Sequence, residues 1–256
     1  MSPIDRVQGA VTDTPWNTPR ILVAGARALF AGPGMRLSPH RLSVATVVLT
    51  LVHPFHLVLL ESDETRVARI GLIPPDTRHH LRTEGRVLFL YLDALSDDHS
   101  AITPETLARL NTNIEGVTAP MDGASSISTE TLLSMLTESL GLVAKRIPDP
   151  RIERVVRALD TAPEEFDAIE GAACRASLSV SHFQQLFREA VGTTFRRYRL
   201  WRRMSVVALG LSRGDSLTRA ALDAGFSSSA HLSSTFREMF GLKPSELLKA
   251  NARFVV

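Results

Sequence analysis

The chain has 256 residues, 44% hydrophobic and 22% charged, with a formal net charge of +2, an ordinary balance for one or two globular domains with buried cores. Its single cysteine, Cys174, excludes an internal disulfide and suits a reducing cytoplasm. No run of about 18 uncharged apolar residues occurs, so no membrane span is expected, and the N-terminus lacks the charged start and apolar core of a secretory signal.

Residues 1–20 are polar and contain prolines, and read as a loose arm. Over residues 21–100 the pattern changes to short β-rich runs at Arg27–Phe30, Leu42–Leu51, Phe55–Leu60, Arg66–Leu72 and Val87–Leu92. Gly32-Pro33-Gly34, Pro74-Pro75-Asp76 and Glu84-Gly85 supply turn chemistry between them. Frequent short strands with such turns predict an antiparallel barrel or sandwich.

Residues 101–146 read as helical. Thr103 is a cap with Pro104 at the first helical position. Ser128–Ala144 places Leu133, Leu136, Leu140 and Val143 at helical spacing. Such a helix covers the barrel or joins two copies in a homodimer, and the covering role is favoured. Ile147-Pro148-Asp149-Pro150 reads as a stiff linker over 147–150, because two prolines restrict it.

Residues 151–256 carry 16 basic and 11 acidic side chains, a net +5, against −3 for the rest. Within them lies a duplication. His182–Gly192 (HFQQLFREAVG) and His231–Gly241 (HLSSTFREMFG) share His, Phe, Arg-Glu and a closing Gly at an offset of 49 residues. Upstream of the second copy, Leu217, Ala220, Ala221 and Ala224 form a small-residue face. Gly225 suits a left-handed turn, and Ser227–Ser229 offer a cap to the next helix. Each copy reads as a helix-turn-helix. Thr193–Leu211 between them reads as one helix of about 28 Å, long enough to hold two recognition helices in successive major grooves about 34 Å apart.

The pieces Ala224-Gly225-Phe226, His231-Leu232, Phe236-Arg237, Phe240-Gly241 and Pro244-Ser245 resemble the DNA-binding domain of AraC/XylS-type transcriptional regulators, over about 151–253. Upstream, Pro74-Pro75-Asp76-Thr77-Arg78-His79 resembles the second cupin motif, with Asp in the glycine position. Ser38-Pro39-His40-Arg41-Leu42 resembles the start of the first, with Leu in place of its second histidine. The chain therefore resembles members of the family with a small cupin-like sensor. The expected fold is α+β in two domains: a cupin-like antiparallel barrel followed by helices, then an all-α domain with two helix-turn-helix units.

The resemblance implies duplex DNA, RNA polymerase and a small-molecule effector as partners, and control of transcription; activator is the expected class, and the sequence itself does not separate it from repressor. In the first unit Ser181, Gln184, Gln185 and Arg188 face outward, and glutamine and arginine suit adenine, guanine or phosphate. In the second, Ser229, Ala230, Ser233 and Ser234 would face the groove with short side chains, with Arg237 and Lys243 as phosphate contacts. Arg196, Arg197, Arg199, Arg202 and Arg203 are further phosphate candidates that cannot all point one way, so some should pair with acids such as Glu165 or Glu189. Cys174 reads as a small buried hydrophobe.

The expected effector pocket lies inside the barrel at His40, Leu42, Val44, His79 and Phe89, mostly apolar. No cofactor, metal or catalytic residue is expected, because only His40 and His79 match ligand positions of the cupin motifs. The alternatives are a metal-dependent cupin enzyme fused to a DNA-binding tail, and a DNA-binding dimer that takes no ligand.

Overall fold

A computed structural model describes residues 16–24, 27–92, 101–122, 127–142, 149–161, 166 and 168–256. Nine strands come first: β1 (Arg20–Ala24), β2 (Arg27–Pro33), β3 (Arg36–Arg41), β4 (Ala45–Thr50), β5 (Phe55–Leu59), β6 (Glu64–Ala68), β7 (Ile70–Ile73), β8 (Arg78–Arg82) and β9 (Arg86–Leu92). Three helices follow, α1 (Pro104–Thr112), α2 (Ile114–Asp122) and α3 (Thr129–Leu140). The rest is α4 (Pro150–Thr161), α5 (Ile169–Arg175), α6 (Val180–Val191), α7 (Phe195–Ser212), α8 (Leu217–Asp223), α9 (Ser229–Phe240), α10 (Pro244–Lys249) and a last strand, β10 (Arg253–Val255).

The strands form two facing sheets, ordered β10-β1-β2-β9-β4-β7 and β3-β8-β5-β6. Every residue of β4 (ATVVLT) is buried, because both faces of the larger sheet are covered. Val47, Leu49, Leu88 and Leu90 pack with Leu110, Met121, Leu132 and Leu136 of α1–α3. Their neighbours Val48 and Phe89 turn the other way, toward Phe55, Leu57 and Leu81 of the second sheet. A mostly apolar run, here with Thr46 and Thr50 as its polar members, is what a strand covered on both faces requires. The helix at 129–140 therefore covers the sheet; its end is fixed by Gly141 in the left-handed conformation, φ 67°.

Several expectations need correction. The loose arm cannot extend to residue 20: Trp16 is 3% exposed, lies under the Arg20 and Arg86 guanidiniums, and Arg20 opens β1. The run 66–72 is two strands in different sheets, since β6 pairs β5 and β7 pairs β4. Pro150 is the first residue of α4 rather than linker, and the Asp149 carboxylate accepts from Arg151 N at 2.8 Å to cap it. Residues 147 and 148 lie outside the described residues, as do Val143 and Glu165. The C-terminal part is not wholly helical, because β10 runs parallel to β1 on the edge of the N-terminal sheet.

The two halves meet over a broad apolar surface. Ala28 of β2 and Val44 of the β3–β4 turn belong to the same buried cluster as Phe183, Phe187, Trp201 and Met239 of the helices. No helix among the described residues is long and apolar enough to cross a membrane.

Candidate nucleic-acid interface and interdomain cavity

Each helix-turn-helix is built from local capping. In the first, Ala172, Ala173 and Ala176 turn inward from α5, which places Cys174 on the opposite, exposed side rather than in the core. Ser177 makes the turn at φ 57°, and the Ser179 hydroxyl accepts from His182 N at 3.3 Å to start α6. In the second, Gly225 turns at φ 77° and Ser228 caps α9 through His231 N at 3.1 Å. His231 is structural: its Nδ1 lies 3.0 Å from Ser227 Oγ and its ring meets Phe226 edge-on at 5.3 Å.

Between the units, α7 has 18 residues, about 27 Å at about 1.5 Å per residue. Gly210 lets α8 approach: a methyl group there would lie 3.0 Å from the Ala220 methyl. The arginines of α7 diverge. Arg202 and Arg203 are buried, and Arg203 stacks 5.9 Å over Phe226. Arg197 bonds Asp76 of the β7–β8 turn, and Arg199 donates to the Phe166 carbonyl. Arg196 alone of the five is exposed. Glu189 accepts from Gln185 at 3.0 Å rather than from an arginine.

A second feature lies where the halves meet. A cavity of about 100 Å³ is lined by Phe30, His40, His79 and Phe89 on the strand side and by Trp201, Val207, Phe236 and Phe240 on the helix side. The last strand contributes Phe254. Tyr91 ties the walls together, its ring 5.6 Å from Trp201 and 5.8 Å from Phe240. Pairing of β3 with β8 sets His40 directly opposite His79, with ring centroids 4.2 Å apart. Each Nδ1 lies 2.8 Å from a carbonyl two residues back, Ser38 and Thr77 respectively, which places the proton on Nδ1 and leaves Nε2 as an acceptor. Burial, with His79 as neighbour, lowers the His40 pKa to about 4, and burial lowers that of His79. Asp76, in the motif position where a glycine is expected, takes the left-handed conformation a glycine would take, φ 62°. Among the described residues, no group of three or more His, Cys, Asp and Glu is placed to hold a metal ion.

Residues 172–250 match a family model described as a helix-turn-helix domain. The HTH-type transcriptional activator RhaS of Escherichia fergusonii is 29% identical over 182 residues, covering 69% of this chain and 61% of RhaS. Transcriptional activator RhrA of Rhizobium meliloti is 30% identical over 126 residues, 47% of this chain and 40% of RhrA. The chain thus spans only about two fifths to three fifths of these curated relatives. The family-model match lies on the duplicated units and their connecting helix. Over this region the chain is similar to AraC/XylS-type transcriptional activators. Its two-domain architecture is that of Vibrio cholerae ToxT, with a TM-score of 0.56 at 12% identity over 89% of this chain and 98% of ToxT. A ToxT structure with unsaturated fatty acid bound aligns at TM-score 0.54 and 12% identity, over 87% of this chain and 94% of that one.

Within the matched region, Ser181, Gln184, Gln185 and Arg188 lie on the exposed side of α6. On α9, Ala230, Ser234 and Arg237 are exposed, while Ser229 and Ser233 are half-buried. Ser233, Ser234, Arg237 and Lys243 border a shallow groove with Pro39 of β3, so the barrel abuts this face. Of the residues expected at an effector pocket, His40, Leu42, His79 and Phe89 line the cavity. Val44 does not, since it packs into the interdomain cluster. The cavity is not inside the barrel: the helical half supplies one wall. Sequence reasoning missed Trp201, Phe236 and Phe240 there, because a buried aromatic on an amphipathic helix looks the same whether it faces core or cavity.

Proposed function

We propose that this chain binds duplex DNA in a sequence-dependent way through α6 and α9 and regulates transcription under control of a small molecule held in the interdomain cavity. The observation that carries the reading is the pair of capped recognition helices held at the two ends of α7, with net charge +5 on that half. The base-reading residues are Ser181, Gln184, Gln185 and Arg188, with Ser229, Ala230, Ser233 and Ser234 reading mainly groove shape, and Arg237 and Lys243 bonding phosphate.

Both relatives named above are called activators, which supports activation here, with RNA polymerase as partner and the cytoplasm as location. The fatty acid bound to ToxT supports a small-molecule effector. The cavity has walls from both halves, so occupancy can shift the arrangement of α7 and α9 relative to the barrel. A ligand does this only by binding one arrangement more tightly than the other. A homodimer remains the partner reading for the outer face of α3.

Fluorescence anisotropy of the full chain with labelled duplexes tests the central claim. Affinity should fall steeply with salt as counterions are released, and selection from a random pool should return a sequence motif. Absence of duplex binding at low salt would reject it.

A further inference from the structure

The cavity wall carries no permanent charge. All of its residues are apolar except His40, Thr46, Tyr91, His79 and Ser205. His79 is fully buried, its Nδ1 is committed to the Thr77 carbonyl, and its Nε2 has no hydrogen-bond partner. Nε2 is the far corner of the ring from that bond, on a side chain that lines the cavity. A buried acceptor without a donor is unfavourable, and a ligand donor placed at Nε2 would relieve that penalty.

We propose that the cavity takes a small uncharged ring compound, a phenol or cyclic alcohol, whose hydroxyl donates to His79 Nε2 while its ring lies against Phe89, Trp201 and Phe240. This rests on the reading of the cavity as the effector site. Three observations select the class. The volume of about 100 Å³ approaches that of the apolar cavities of about 150 Å³ that take one benzene ring. The acceptor asks for a donor. A carboxylate would be buried with no cation on the wall to meet it, at a cost far above that of a neutral hydroxyl. Both histidines are held neutral by burial, so neither supplies the missing charge at neutral pH.

The test uses the full chain with phenol, toluene and benzoate, matching ring size while changing only the polar group. Calorimetry should show phenol and toluene binding and benzoate at least about tenfold weaker than phenol. In His79→Leu the preference for phenol over toluene should fall about tenfold, the worth of one neutral hydrogen bond. Nitrogen-15 NMR of the unmodified protein is independent of that variant's folding: the His79 Nε2 resonance should move upfield with phenol and stay in place with toluene. Saturation by phenol without that movement, benzoate binding as tightly as phenol, or no binding by any probe up to its solubility limit overturns the proposal. If phenol binds as expected but no occupancy changes duplex affinity, the ligand class stands and the effector reading fails. If toluene alone binds and duplex affinity changes, the effector reading stands and the ligand class is wrong.

Discussion

The backbone N–H of Ser38 donates to the carbonyl of Gly241 at 3.0 Å, fastening β3 of the barrel to the C-terminal end of recognition helix α9. Gly241 has φ 73°, and a methyl group on it would lie 2.6 Å from the Ser38 carbonyl oxygen and 2.8 Å from His40 Nδ1. Gly241→Ala therefore meets a left-handed backbone and a backbone clash at once. The expected result is a loss of about 1–3 kcal/mol in thermal or urea unfolding, with amide exchange rising first at Ser38 and Leu242. A variant as stable as the parent, with Ser38 still protected, would show that this contact does not hold the halves together.

Arg203 looks like a phosphate contact in sequence and is a packing residue in structure. It is 6% exposed, its guanidinium sits over Phe226, and a methyl on Gly225 would come within 3.1 Å of it. Arg203→Ala should lower stability by about 1–3 kcal/mol and leave the salt dependence of duplex binding unchanged. Exposed Arg196 should behave in the opposite way, Arg196→Ala keeping its Tm and reducing the salt slope by about one. Reversal of the two patterns would exchange their roles.

Acid should loosen the barrel–helix junction. The folded pKa of His40 is lowered from 6.5 to about 4, and that of His79 is also lowered. Between those values the unfolded chain binds more protons than the folded one, so stability falls as pH drops from 6.5 and levels off near 4. The His40 shift alone corresponds to about 3 kcal/mol. Tm measured against pH should show this decline in the parent and a flatter curve in His40→Phe. Equal slopes in the two proteins would assign the acid sensitivity elsewhere.

Removal of residues 252–256 tests the role of the last strand. β10 pairs Arg253, Phe254 and Val255 with Arg20, Ile21 and Leu22, and Phe254 is part of the cavity wall. The shortened chain should show faster amide exchange in β1 and α7, with β4 and β9 unchanged because they are inner strands of the same sheet. Unchanged exchange in β1 would mean that β10 rests on the sheet edge without holding it.

The legible parts of this chain are those whose signal is local. His182–Gly192 and His231–Gly241 carry helical spacing and a closing glycine within 11 residues, each with a serine cap three residues upstream, and both became helices of 12 residues. The β4 run is legible because burial on both faces demands a mostly apolar sequence. β3 (RLSPHR) is not: it places only Leu37 and His40 in the core, and its pairing with β8 bridges about 40 residues of sequence. β10 has three residues and exists because β1 offers an open edge, which no local pattern reports. Cys174 was misplaced because three alanines compete with it for the inward face, and composition does not say which side wins. The cavity depends on the docking of two halves, so its histidines were visible in motifs while its helical wall was not.

The two recognition helices should read DNA unequally. Gln185 is exposed on α6, and its side-chain amide donates to Glu189 at 3.0 Å, so in the free chain it is held along the helix surface where an adenine edge can replace the carboxylate. Loss of a bidentate glutamine–adenine pair costs about 1–3 kcal/mol, and only at sequences that present the adenine. Ser234 on α9 is short and sits in a groove beside Pro39, so it reaches at most one acceptor, and its loss should cost under about 1 kcal/mol at any sequence. Binding profiles against a library with each half-site randomised separate these outcomes. Gln185→Ala should flatten preference at one or two positions of a single half-site, while Ser234→Ala lowers all affinities slightly and keeps the motif. Equal, sequence-independent losses from both substitutions would contradict the asymmetry and leave phosphate contacts and groove shape as the basis of recognition in both units.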